Sequence, residues 1–127
     1  MNKKKVVGIW MDHGHAYVVA TQDGSATGDF SLIKKIESEH HRSENYKNEK
    51  VELSKSKLEL KKFFKEIANE ISDETDIFIF GPGTAQEELR NFLNDAHSLN
   101  PKKIELATAD HITINQIIAK VKLHFEG

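Results

Sequence analysis

The stretch Asp76-Ile77-Phe78-Ile79-Phe80-Gly81-Pro82-Gly83-Thr84-Ala85-Gln86-Glu87 leaves this chain few options. Its four apolar residues, two β-branched and two aromatic, read as a strand covered on both faces. Pro82 ends the strand because it has no N–H to give to a ladder. Gly81 and Gly83 suit a hinge whose backbone angles other residues resist. Thr84, with Glu87 three residues on, predicts a capped helix start. A strand that enters a helix through a tight turn is the unit of an α/β fold. The same turn places backbone N–H groups at a helix N-terminus, where an anion could sit.

The rest of the chain supplies the partners of that unit. Val6 to Met11 is a nearly continuous apolar run, which predicts a central strand. Asp12-His13-Gly14 is a turn signal, and Ala16 to Ala20 reads as the returning strand of a hairpin. Phe30 to Ile36 predicts a third strand, and its Lys34-Lys35 pair suits a sheet edge. A polar stretch without hydrophobic period follows, which predicts a long mobile loop over about 37–53. Ser56 with Glu59 reads as the capping box of a first helix, whose inner face is Leu60, Phe63, Phe64, Ile67 and Ile71. Leu89, Phe92, Leu93 and Ala96 form the inner face of the second helix. Ile104 to Thr108 is a fifth strand. Thr113 and Gln116 cap a third helix, with Ile114, Ile117, Ile118, Val121 and Phe125 inward.

The element order is thus β-β-β-α-β-α-β-α. Hairpins place strand three beside two and two beside one, and right-handed crossovers return to parallel neighbours. The expected architecture is α/β: a ribonuclease H-like three-layer fold with a mixed five-stranded sheet in the order 3-2-1-4-5, strand two antiparallel, and three helices. A length of 127 residues suits a single domain. The absence of cysteine excludes disulfides, thiolate catalysis and cysteine-bound zinc. No membrane-length apolar run is present, and a cytoplasmic location is expected. The net charge of −2 carries no global nucleic-acid signal, but Lys34 to Glu66 holds ten Lys/Arg against seven Asp/Glu. Such a local excess can follow a phosphate backbone.

This topology collects several polar residues at the carboxyl ends of the strands, where open α/β sheets favour ligands. They are Asp12, His13 and His15, the loop residues His40 and His41, the hinge Gly81, Gly83 and Thr84, and Asp110 and His111. Three chemistries can be asked of this rim. A two-metal nuclease needs several carboxylates; Asp12 stands at one suitable position, but the end of strand four offers none. A histidine metal site lacks any recognised ligand spacing, so no metal is assigned. The Gly81-Pro82-Gly83-Thr84 hinge is neither a Walker loop nor a dinucleotide fingerprint, so no cofactor is assigned.

The segment Phe78-Ile79-Phe80-Gly81-Pro82-Gly83-Thr84-Ala85-Gln86-Glu87-Glu88-Leu89 resembles the strand-hinge-helix signature of the central domain of archaeal and eukaryotic peptide-chain release factors and of Pelota. It is similar also to small bacterial proteins described as translational machinery components. Val7-Gly8-Ile9-Trp10-Met11-Asp12-His13 with Ala16-Tyr17-Val18 looks like the opening hairpin of those bacterial proteins. Ala109-Asp110-His111, leading to Ile117-Ile118-Ala119 and Phe125, looks like their last strand-to-helix passage. The resemblance runs from about Val6 to Phe125 and implies the fold derived above. Release factors carry a Gly-Gly-Gln tripeptide in the loop after strand three. This chain has no glycine between Gly28 and Gly81, so the resemblance does not extend to peptide-release chemistry. The flanking domains of those factors have no counterpart in this reading.

The leading expectation is a non-catalytic RNA-associated or ribosome-associated module. Its phosphate contacts would be Lys34, Lys35, His40, His41, Arg42, Lys47 and Lys50. A protein-interaction or assembly domain is the second reading. An enzyme acting at the rim through Asp12, His13, His111 and the hinge is the third.

Overall fold

Strand β1 (Val6–Met11) is buried along its whole length, and the other elements assemble around it. A computed structural model of the chain describes residues 5–38, 49–96 and 103–126, without the side chains of 49–56 and 96. The other strands are β2 (His15–Ala20), β3 (Ser31–Glu37), β4 (Asp76–Gly81) and β5 (Lys103–Thr108). The helices are α1 (Glu49–Glu70), α2 (Ala85–Ala96) and α3 (Ile114–Glu126). The sheet order is β3-β2-β1-β4-β5. Strand β2 runs antiparallel to β1 and β3, whereas β1–β4 and β4–β5 are parallel. This is the topology that the element order predicts.

Alternation along β1 divides the core in two. Val7, Ile9 and Met11 face α1 and α2, together with Val18, Ile36, Ile77 and Ile79. On that side Phe63, Phe64, Ile67, Ile71, Leu89 and Leu93 close the layer, with Leu60 and Phe92 at its margin. Val6 and Trp10 face the opposite side with Phe78, Phe80, Ile117 and Val121. Gly8 lies between them on the α3 face. A Cβ there would sit 2.3 Å from Val121 Cγ2, so the missing side chain lets α3 rest directly on β1.

Three local expectations are corrected. Helix α1 begins at Glu49, so Ser56 lies inside it and does not cap it. The preceding Glu-Lys-Val-Glu-Leu-Ser-Lys run holds no glycine or proline and several strong helix formers. Its apolar residues are only Val51 and Leu53, too few to mark a helical period, which is why periodicity placed the start too late. The expected loop therefore ends before Glu49, and its first residue, Glu37, belongs to β3; residues 39–48 of that expectation lie outside the described residues. In α3, Ile114 is 42% exposed, so the inner face consists of Ile117 and Val121, flanked by Ile118 and Phe125.

The hinge also differs in its physics. Neither Gly81 nor Gly83 has a positive φ; among the described residues only Gly24 does, at 82°. Gly81 is required by proximity: a Cβ there would lie 1.9 Å from the Met11 carbonyl oxygen. A Cβ on Gly83 would meet nothing within 4 Å. The two glycines should separate on mutation. Gly81→Ala is expected to cost about 1–3 kcal/mol by overpacking against backbone. Gly83→Ala should stay within about 0.5 kcal/mol of the parent. Urea denaturation of both variants checks this, and equal losses would contradict it.

Candidate functional site

The turn after β1 is built on one carboxylate. Asp12 Oδ1 accepts the backbone N–H groups of Gly14 (2.8 Å) and His15 (2.7 Å), closing an Asx-type turn. The Asp12 N–H in turn donates to the His15 carbonyl at 3.0 Å. This leaves Oδ2 facing outward, where His111 Nε2 lies 3.3 Å away. His15 Nδ1 is 3.4 Å from Oδ1. Burial of the Asp12 carboxyl disfavours its charge, but the two backbone donors, the His111 contact and the charge of His15 outweigh that effect. Its pKa is held below the ordinary aspartate value.

The passage from β5 to α3 is pinned to the same turn. Trp10 Nε1 donates to the Asp110 carbonyl at 3.2 Å. The His111 ring meets the Trp10 ring edge-on at 5.2 Å. Helix α3 then opens with a complete capping box: Thr113 N–H donates to Gln116 Oε1 (2.9 Å), and Gln116 N–H donates to Thr113 Oγ1 (3.2 Å).

The hinge contributes a second histidine–carboxylate pair. His13 Nε2 lies 2.5 Å from Glu88 Oε2, and Thr84 Oγ1 donates to the same oxygen at 3.2 Å. Glu88, not the expected Glu87, is the side chain that returns to Thr84. The helical spacing of four from Thr84 is the signal that would have found it. Glu87 and Glu88 both occupy the first turn of α2. Their negative charge already complements the helix dipole, and an anion at the hinge would meet it head-on.

Asp12, His13, Thr84 and His111 therefore do converge at the carboxyl rim, along with the Asp110 backbone and His15. Gly81 lies beneath them as a packing element. His13 and His111 are each held through Nε2 by a carboxylate and are half or more exposed. Exposed pairs of this kind orient a ring more than they stabilise a fold. Among the described residues, no group of three or more His, Asp or Glu side chains is arranged to hold a metal ion.

The expected nucleic-acid contacts are distributed differently. Lys34 and Lys35 project to opposite faces of β3. Lys34 Nζ reaches Glu70 of α1 at 3.9 Å, whereas Lys35 Nζ lies over the Tyr17 ring at 5.7 Å. His40, His41, Arg42 and Lys47 lie outside the described residues, and Lys50 is placed only as a position on α1. The point of departure of that segment is fixed: the Ser38 N–H donates to the Gly14 carbonyl at 2.9 Å, so the chain leaves β3 at the rim. A cleft of about 380 Å³ at the opposite sheet edge is lined by Asp76, Lys103, Glu105 and His124 among others. There His124 stacks on Phe78 (3.9 Å, 3°) and meets Glu105 Oε2 at 2.9 Å, so its ring is engaged within the fold.

Because the folded pKa of Asp12 lies below the unfolded value of about 3.9, its contribution to stability is complete above that pH. It is lost as pH falls through the folded pKa. Asp12→Asn keeps the Oδ1 acceptor but loses the charge that strengthens these contacts, so it should be less stable than the parent at neutral pH by about 1 kcal/mol. The difference should shrink below about pH 4. Denaturant titrations from neutral to acid pH check this, and a difference independent of pH would contradict it.

No helix among the described residues is long and apolar enough to cross a membrane. No protein-family model and no curated protein matches the chain by sequence. Solved structures do match it. The chain is similar to Pelota of Archaeoglobus fulgidus, with a TM-score of 0.60 at 16% identity over 98% of this chain. It is similar also to the archaeal translation termination factor aRF1, with a TM-score of 0.56 at 15% identity over 95% of this chain. In each case it spans 34% of the matched chain, about a third of that protein. The fold is that of the release-factor and Pelota central domain.

Proposed function

We propose that this chain is a non-catalytic, RNA-associated module that acts on the ribosome. The observation that carries this reading is the likeness over nearly the whole chain to two archaeal proteins, one of them a translation termination factor. Fold alone does not assign activity, and two features of this chain give the reading its form. The segment after β3 leaves at the rim, beside the Asp12–His15 turn. That segment carries Arg42 and Lys47 and enters α1 near Lys50, and it lacks the Gly-Gly-Gln tripeptide of the release factors. Phosphate contacts from these cations position a module on RNA without reading its sequence. The rim histidines are carboxylate-bound and surround no metal cluster among the described residues; they serve this module as polar surface.

The open sheet supports a second reading, a protein-interaction domain. Strands β3 and β5 are both edges, and an extended peptide can add to either.

Sedimentation of the protein with ribosomes from its own cells, at low and moderate salt, separates the two. Ribosome association is expected to weaken steeply with salt. Neutralising Arg42, Lys47 and Lys50 together should reduce the slope of log K against log salt by about 2 to 3, roughly one per contact. A partner protein retained after ribonuclease treatment, with no ribosome co-migration in any salt, would favour the second reading.

A further inference from the structure

On the α3 side of the sheet, at the rim end of β2 and β3, Lys35 is exposed and His15 and Tyr17 are half-buried. There His15 and Tyr17 stand at alternate positions of β2, on one face. Their rings are parallel to within 4°, with centroids 6.5 Å apart. Both rings are braced. Tyr17 is flanked by the Trp10 ring at 5.7 Å, and Trp10 is only 3% exposed. The His15 ring is 3.4 Å from Asp12 Oδ1. Both side chains keep part of their surface in solvent.

A cation completes the row. Lys35 is the cross-strand partner of Tyr17, and its Nζ lies 5.7 Å from the ring centroid. Its ammonium also approaches Glu37 at 3.4 Å, yet the side chain is 48% exposed and can turn outward. Braced parallel rings on an open sheet, with a lysine beside them, match the chemistry of an unpaired nucleobase and its phosphate. A duplex keeps its bases stacked on one another and presents no free face.

We propose that His15 and Tyr17 form a stacking site for one unpaired nucleobase, with Lys35 on the adjoining phosphate. This rests on the RNA-association reading and adds where on the fold a single strand is received. The base could come from a strand or from a free nucleotide, and the measurement distinguishes them.

Trp10 is the chain's one tryptophan, so its emission reports on Tyr17 directly. The full chain is titrated with oligouridylate, oligoadenylate, a duplex RNA of equal length, and the corresponding mononucleotides. The single strands are expected to quench Trp10 and to bind more tightly than the duplex. Tyr17→Ala should weaken them about tenfold, and Tyr17→Phe should retain them. Lys35→Gln should lower the salt slope by about 0.7. Absence of quenching by either single strand in the unmodified protein overturns the proposal. So does a folded Tyr17→Ala variant of unchanged affinity. Mononucleotides that bind as tightly as the oligomers, with the same Tyr17 dependence, overturn the RNA assignment in favour of a free nucleotide. Ribosome co-migration without oligonucleotide binding removes the stacking site and leaves the ribosome reading. Tyr17-dependent oligonucleotide binding without co-migration keeps the site and removes the ribosome.

Discussion

The close approach of β1 and β4 at Gly81 is the contact on which the rest of the rim depends. The Met11 carbonyl lies against the Gly81 Cα, where no side chain fits. The Gly81 carbonyl then accepts the Ala109 N–H (2.8 Å) and Gln86 Nε2 (3.2 Å). Gln86 is buried and reaches on to the Ala107 carbonyl at 3.3 Å. One backbone oxygen thus joins the end of β4, the exit of β5 and the first turn of α2. The Gln86 amide nitrogen is thus paired across the elements, whereas its Oε1 is buried without a hydrogen-bond partner. Asp12, His111 and Glu88 reach one rim because their parent elements are tied at that point.

The rim built on this joint is polar and oriented. Asp12 spends one oxygen on its own turn and offers the other to His111, so local and tertiary roles share a side chain. Glu88 is likewise divided between Thr84 and His13. The arrangement holds imidazoles in fixed positions at the surface while occupying the carboxylates that a two-metal centre would need.

The likeness to Pelota and to the archaeal termination factor, at 15–16% identity, lies in architecture. Two core clusters on either side of one buried strand tolerate wide substitution while volume and pattern are kept. Surfaces are under no such constraint, and function resides there. The open end of the β2–β3 hairpin illustrates the difference. Its core-side residues, Val18 and Ile36, could be any well-packed hydrophobe, whereas Tyr17, His15 and Lys35 on the other face have a chemistry of their own.

The apolar run of β1, the β4–hinge–α2 succession and the helical spacing of Phe63, Phe64, Ile67 and Ile71 were legible in the sequence. Each is a local pattern whose period matches the element it forms, and right-handed crossovers left one simple strand order. The rim was legible as a neighbourhood, because strand order alone brings Asp12, His13 and His111 to one edge. The start of α1 was not legible, since helix propensity without an apolar stripe leaves no periodic mark. The reason for Gly81 was equally hidden: the residue type suggests a strained turn, while the cause is the Met11 carbonyl, seventy residues earlier in the chain. The choice of Glu88 over Glu87, the partners that Lys34 and Lys35 meet on their opposite faces of β3, and the parallel pair of His15 and Tyr17 are likewise tertiary decisions. They depend on strand register, on a bulge opposite Val18 and Val19, and on distances of a few ångströms between segments remote in sequence. Pattern determines which face a residue occupies; only packing decides what it meets there.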